Sequence, residues 1–160
     1  IKLKLTLDID KLMNTLENEN NESIVELDMK NISAIKNDVL QQLPITSEEL
    51  KKLNKQLKSY RFVDNVKEIN YGNYIRWIPL KKIINNNNDD DDVSNPNVNK
   101  IKLTNGGFIC DMKVINNMVY IYCKNSMNMI FNLTLDDNII FQKLNSQEQV
   151  ILSAIKYINK

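Results

Sequence analysis

The chain contains no histidine, and only three glycines, three prolines, two cysteines and two arginines among its 160 residues. Without histidine it lacks the commonest general base and the commonest metal ligand. Two cysteines alone cannot complete a zinc site, and a nucleophilic cysteine would lack its imidazole partner. No Walker loop, G-x-G-x-x-G, H-E-x-x-H, G-x-S-x-G or kinase signature occurs. Gly106-Gly107 sits in a turn between strand patterns, without the following helix that a phosphate cradle requires. The formal net charge is +1, too small to give a long-range field for nucleic acid, although a local patch stays open. No stretch approaches the roughly 18 apolar residues of a membrane span, and Ile1 to Leu7 alternates with lysine instead of forming a signal-peptide core. These absences predict a non-enzymatic protein without cofactor, metal or membrane partner, in a reducing, cytoplasmic setting with free thiols.

What is abundant is asparagine, with 26 residues, followed by isoleucine with 21 and lysine with 19, against two alanines. Asn, Ile and Lys have A+T-rich codons, so the bias reads as genomic composition. The three N-x-S/T sequons at Asn21, Asn31 and Asn132 are expected by chance in such a chain. The length suits one domain with a core of its own.

The period of the apolar residues changes along the chain. Ile1 to Leu7 alternates as a half-buried strand; Leu12, Met13 and Leu16 suit a short helix; Ser23 to Met29 reads as a second strand. Asp28 or Asn31 opens a helix with Ile32, Ile35, Val39, Leu40 and Leu43 on one face. Pro44 ends it, and Thr46 with Glu49 forms a capping box for the next, whose stripe is Leu50, Leu53, Leu57 and Tyr60. From Arg61 the period is two. Strands are expected at 66–70, 74–80, 100–103, 108–115, 118–124, 129–135 and 139–144. The run N-N-N-N-D-D-D-D within 85–99 reads as a disordered insertion and lacks the glycine and distal glutamate of an EF-hand. Ser146 and Gln149 suggest a capping box for a last helix over 147–158, with Val150, Ile151, Ala154, Ile155 and Ile158 inward.

Asn116-Asn117 permits a two-residue type I′ hairpin, because asparagine tolerates positive φ. Val114 then faces Val119, Met112 faces Ile121 and Cys110 faces Cys123, giving one apolar face. The other face pairs Lys113 with Tyr120 and Asp111 with Tyr122. That face suits either a recognition surface or simple cross-strand pairing. The segment Tyr71 to Pro79 is similarly open. Trp77 anchors the core beside a salt-bridged Arg76, or Tyr74, Arg76 and Trp77 form a ligand-facing surface for stacking or a protein hot spot.

The stretches YRFVDNVKEINYGNYIRWI from Tyr60, LTNGGFICD from Leu103 and IFQKLNSQEQVIL from Ile140 resemble a family of short uncharacterised proteins of mimivirus-like giant DNA viruses. The resemblance spans about residues 44–158 and carries no assigned activity. It implies the cytoplasm of an infected cell or the virion as the setting.

The expected fold is α+β. An N-terminal helical or βα part (1–60) leads into a five- to six-stranded antiparallel meander (61–160), closed as an SH3-like small barrel and capped by the C-terminal helix, the whole forming one cooperative unit. An open sheet packed under the helices is the alternative. The expected function is a non-enzymatic binding or scaffolding module for a protein partner or for self-association. The alternatives are a structural or virion-assembly protein and a small barrel that binds nucleic acid. The expected binding residues are Tyr74, Arg76, Trp77, Lys113, Tyr120 and Tyr122.

Overall fold

The computed structural model describes residues 28–81 and 101–158. The expected strand at 1–7, the helix around Leu12 and Leu16, most of the strand at 23–29 and the insertion at 85–99 lie outside the described residues. The strand expected at 23–29 does not reach Asp28, which is the N-cap of a helix and accepts from the Asn31 amide at 2.7 Å.

Two helices come first, α1 (Met29–Gln41) and α2 (Ser47–Gln56). α2 starts on the predicted capping box, with Thr46 Oγ1 accepting from the Glu49 amide and Glu49 Oε2 from the Thr46 amide. Ile32 and Leu40 of α1 and Leu43 just after it are buried as expected, but Ile35 is exposed and Lys36 is buried in its place. The Lys36 ammonium donates to the carbonyls of Leu57 at 2.6 Å and Tyr60 at 3.1 Å, which lets a cation enter the core.

Six strands follow: β1 (Tyr60–Val63), β2 (Tyr74–Pro79), β3 (Gly107–Ile115), β4 (Met118–Lys124), β5 (Ile130–Thr134) and β6 (Asn138–Lys143), before α3 (Ser146–Ile158). They form one antiparallel sheet in the order β1-β6-β2-β3-β4-β5. Among the described residues the sheet is open, with β1 and β5 at its edges, and the expected barrel closure is not found. Nor is it a plain meander, because β6 returns to lie between β1 and β2. Residues 66–68 form a 3₁₀ turn instead of a strand, and 101–103 form no strand. Tyr60, expected on the helical stripe, opens β1.

The sheet nevertheless curls strongly. Trp77 on β2 and Phe131 on β5 are separated by β3 and β4, a span of roughly 14 Å in a flat sheet, yet their ring centroids lie 6.2 Å apart. The concave face gathers Ile75, Ile109, Ile121, Cys123, Leu133 and Ile140 into one core. On the convex face the β1-β6-β2 half is closed by α1 and α2, where Leu40, Leu43, Leu53 and Leu57 meet Tyr60, Ile78 and Phe141. A third cluster joins Ile32 of α1 to Ile151 and Leu152 of α3.

The insertion of β6 makes β1 and β2 parallel, and the link between them crosses the concave side, where Ile69 is buried. A buried link needs partners for its backbone. Gln142, fully buried on β6, donates to the Glu68 carbonyl at 2.9 Å and accepts from the Asn70 amide at 3.0 Å. Arg61 adds a bond to the same carbonyl at 3.2 Å and pairs with Glu148 of α3 at 3.3 Å. Burial raises the Glu148 carboxyl above its usual range, against the hydrogen bond from Asn145 and the Arg61 charge. The α3 cap is one residue earlier than expected. Asn145 Oδ1 accepts from the Glu148 amide at 2.8 Å, and Glu148 Oε1 from the Asn145 amide at 3.2 Å. Ile151 and Ala154 are buried and Ile155 packs beside them, but Ile158 is exposed and Leu152 takes the inner position instead.

Candidate functional site

The hairpin turn carries the left-handed pair predicted for it, with φ 51° at Asn116 and 62° at Asn117. Val114 therefore faces Val119, Met112 faces Ile121, Lys113 faces Tyr120 and Asp111 faces Tyr122. Beyond that the register shifts, and Cys123 faces Ile109 instead of Cys110. Cys110 is the extra residue of a β-bulge. It is turned out to solvent, its thiol donating to the Tyr122 carbonyl at 3.2 Å. Ile109 takes the core position expected for Cys110. Val114, also expected in the core, is exposed at the tip of the ribbon.

The bulge sets the outer surface. It brings Phe108, Asp111 and Lys113 to one face of β3, with Tyr120, Tyr122 and Lys124 beside them on β4 and Ile130, Asn132 and Thr134 on β5. This is the convex face of the half-sheet that α1 and α2 leave bare. Phe108 is 54% exposed and Ile130 64%. The Lys113 ammonium sits 5.2 Å from the Tyr122 ring centroid and 4.0 Å from an Asp111 carboxylate oxygen. The charges are mixed, and the surface is aromatic and aliphatic.

Tyr74 and Arg76 lie on the same convex face, one strand further in. The Tyr74 ring meets Phe108 edge-on at 4.9 Å, so the aromatic row continues onto β2. Both side chains are also committed to the loop before β3. The Tyr74 hydroxyl donates to the Asn105 carbonyl at 2.6 Å and Arg76 Nε to the Thr104 carbonyl at 2.8 Å. Gly106, at φ +85°, lets that loop lie against β2. No acidic partner of Arg76 is found among the described residues, so the expected salt bridge gives way to a carbonyl clamp. Trp77 points to the concave face and packs with the core, which removes it from the outer surface. Five of the six expected residues thus share one face, Lys113, Tyr120 and Tyr122 on its bare part and Tyr74 and Arg76 at its anchored margin. Phe108 and Ile130 were missed. The alternation of Ile130, Asn132 and Thr134 against Phe131 and Leu133 could have found Ile130, but only the bulge explains Phe108.

Two shallow hollows lie outside this face. One of about 290 Å³ lies between α1, α3 and the start of β1, with Lys58, Lys156, Leu144 and Leu152 among its lining. Another of about 210 Å³ is lined by Pro79, Lys102, Thr104 and Asn105. Among the described residues, neither lining includes a carboxylate or a thiol. Among the described residues no group of three or more His, Cys, Asp or Glu side chains could hold a metal ion, and no helix is long and apolar enough to cross a membrane. Compared with protein-family models, curated proteins and solved structures, the chain matches none.

Proposed function

We propose that the protein is a non-enzymatic binding module directed at another protein, and that it engages its partner through the bare convex face of β3, β4 and β5. One observation carries the reading. The same face is sealed by two helices over β1, β6 and β2, while over the other strands Phe108, Tyr120, Tyr122 and Ile130 stand without a helix among the described residues. Aromatic residues on a rigid sheet are the usual anchors of protein recognition. The bare face carries Lys113 and Lys124 against Asp111, an excess of a single positive charge in a chain of net charge +1, which favours a protein surface over a polyanion. Among the described residues neither hollow carries an acid–base pair, which accords with a non-catalytic role. Free thiols accord with a cytoplasmic setting, in an infected cell or a virion where the viral resemblance applies.

A random-peptide display selection on the folded protein tests this reading, with the enriched peptides titrated against the variant carrying both Tyr120→Ala and Tyr122→Ala. The double variant should melt like the parent and lose at least about tenfold in affinity, the scale of two truncated aromatic anchors. Enriched peptides that bind the variant as well as the parent would remove this face from consideration. A second reading, a structural or assembly protein, is favoured by the edge of β5, which no described residue covers.

A further inference from the structure

The two edges of the sheet are finished differently. At β1, the Leu144 amide donates to the Ser59 carbonyl, so the Tyr60 carbonyl points away from β6, and there Lys36 of α1 caps it at 3.1 Å. A buried lysine and a helix guard that edge. At β5, the Asn125 amide donates to the Met129 carbonyl and the Leu135 amide to the Val119 carbonyl. Residues 129, 131, 133 and 135 therefore spend their backbone groups on β4, while Ile130, Asn132 and Thr134 direct theirs outward. Among the described residues nothing bonds the Asn132 backbone from outside. At the end of the strand the Thr134 carbonyl accepts from Asn138 Nδ2 at 2.8 Å and keeps one lone pair. The strand itself, I-F-N-L-T, has no lysine, proline, charge or bulge, the devices that normally protect an edge. Flanking it, Met127 is 73% exposed and Met129 57%.

We infer that β5 pairs antiparallel with β5 of a second copy of this chain, about a two-fold axis through Asn132. The occupant is a second copy because the strand is complementary to itself. In the register that overlaps its full length, Ile130 of each copy faces Thr134 of the other on the convex side. Phe131 faces Leu133 on the concave side, and Asn132 meets its own mate. No charge meets a like charge: Asp136 falls opposite Asn128 and Asp137 opposite Met127. The outward groups of Ile130, Asn132 and Thr134 then exchange about six backbone hydrogen bonds across the axis. The sheet becomes continuous through both copies, and the two convex faces proposed to bind a partner lie side by side. A pairing this short sits at the small end of stable interfaces, so the dimer should form between about 10 micromolar and 1 millimolar chain.

Sedimentation equilibrium across that range tests the pairing, together with residue-resolved amide exchange at both ends of it. The average mass should climb from one chain toward two. The amides of Ile130, Asn132 and Thr134 should slow by about tenfold or more at high concentration, while those of Phe131 and Leu133, already bonded to β4, should not change. Asn132→Lys sets two like charges on the axis and should weaken the dimer at least about tenfold. Asn132→Pro, which removes the outward N–H without deleting a bond to β4, should do the same. A single-chain mass at every concentration would overturn the inference. So would a dimer that forms equally well in Asn132→Lys, or concentration-dependent protection of all β5 amides or of none.

Discussion

Replacing Gly106 by alanine tests how the loop before β3 is held against β2. Gly106 sits at φ +85°, and a Cβ added there would lie 2.9 Å from Arg76 Cγ and from Tyr74 Cε1, and closer still to the Ile75 carbonyl oxygen. Gly72 is the matched control: its φ is +81°, but its added Cβ would meet nothing within 4 Å. Both substitutions carry the left-handed strain of a non-glycine residue, about 1 kcal/mol. Only the Gly106 variant must also push the loop off a strand backbone. That movement breaks the bonds from the Tyr74 hydroxyl to Asn105, from Arg76 Nε to Thr104 and from the Trp77 amide to Thr104 Oγ1. At about 1 kcal/mol each the variant should lose roughly 3–4 kcal/mol in total, against about 1 kcal/mol for Gly72→Ala. With an m-value of about 2 kcal/mol/M, the urea midpoint should fall by roughly 1.5–2 M for Gly106→Ala and by about 0.5 M for Gly72→Ala. Trp77, half-buried beside the loop, reports the transition by fluorescence. Equal midpoints for the two variants would refute the claim that close approach, and not backbone sign alone, demands glycine at 106.

Three further outcomes follow from the same structure. Burial raises the folded pKa of Glu148, so above the free value of 4.5 the folded chain keeps a proton that the unfolded chain has released. Stability should therefore fall as pH climbs from that value through the raised one, and Glu148→Gln should flatten this slope in urea midpoints measured from pH 4 to 8. Cys110 is exposed and Cys123 is buried with its thiol pushed up to about 12, so a thiol reagent should label one cysteine in the folded protein and both after unfolding. Asn117 lies at φ 62°, so Asn117→Gly should stabilise the hairpin slightly and Asn117→Val should destabilise it by about 1–2 kcal/mol, read as melting-temperature shifts.

Signals that act over a few residues were legible in the sequence. The Thr46–Glu49 box and the Asn116–Asn117 turn rely on neighbours three or fewer positions apart, and both stand where they were expected. The strands from β3 to β6 were also found, within a residue or two at their ends. What failed depends on distant partners. Lys36 reads as a surface residue until the carbonyls of Leu57 and Tyr60 are brought to it. Arg61 and Gln142 are polar, and their burial depends on the β1–β2 link that crosses above them. The insertion of β6 between β1 and β2 has no local signature, and the expected barrel failed with it. A single residue of bulge displaced Cys110 from the core and carried Phe108 and Asp111 to the same face, because strand periodicity makes every later side chain depend on each residue inserted before it. The outer face was therefore legible on β4, where the hairpin fixed it, and only partly on β2 and β3.

The bare convex face is proposed to serve protein contacts and not nucleic acid. Light scattering of the full chain, with and without a mixed RNA and DNA pool at low and moderate salt, tests it in one measurement. The mass should be the same with and without the pool at either salt, and should depend only on protein concentration. A rise in mass with nucleic acid at low salt that is lost as salt increases would contradict the account.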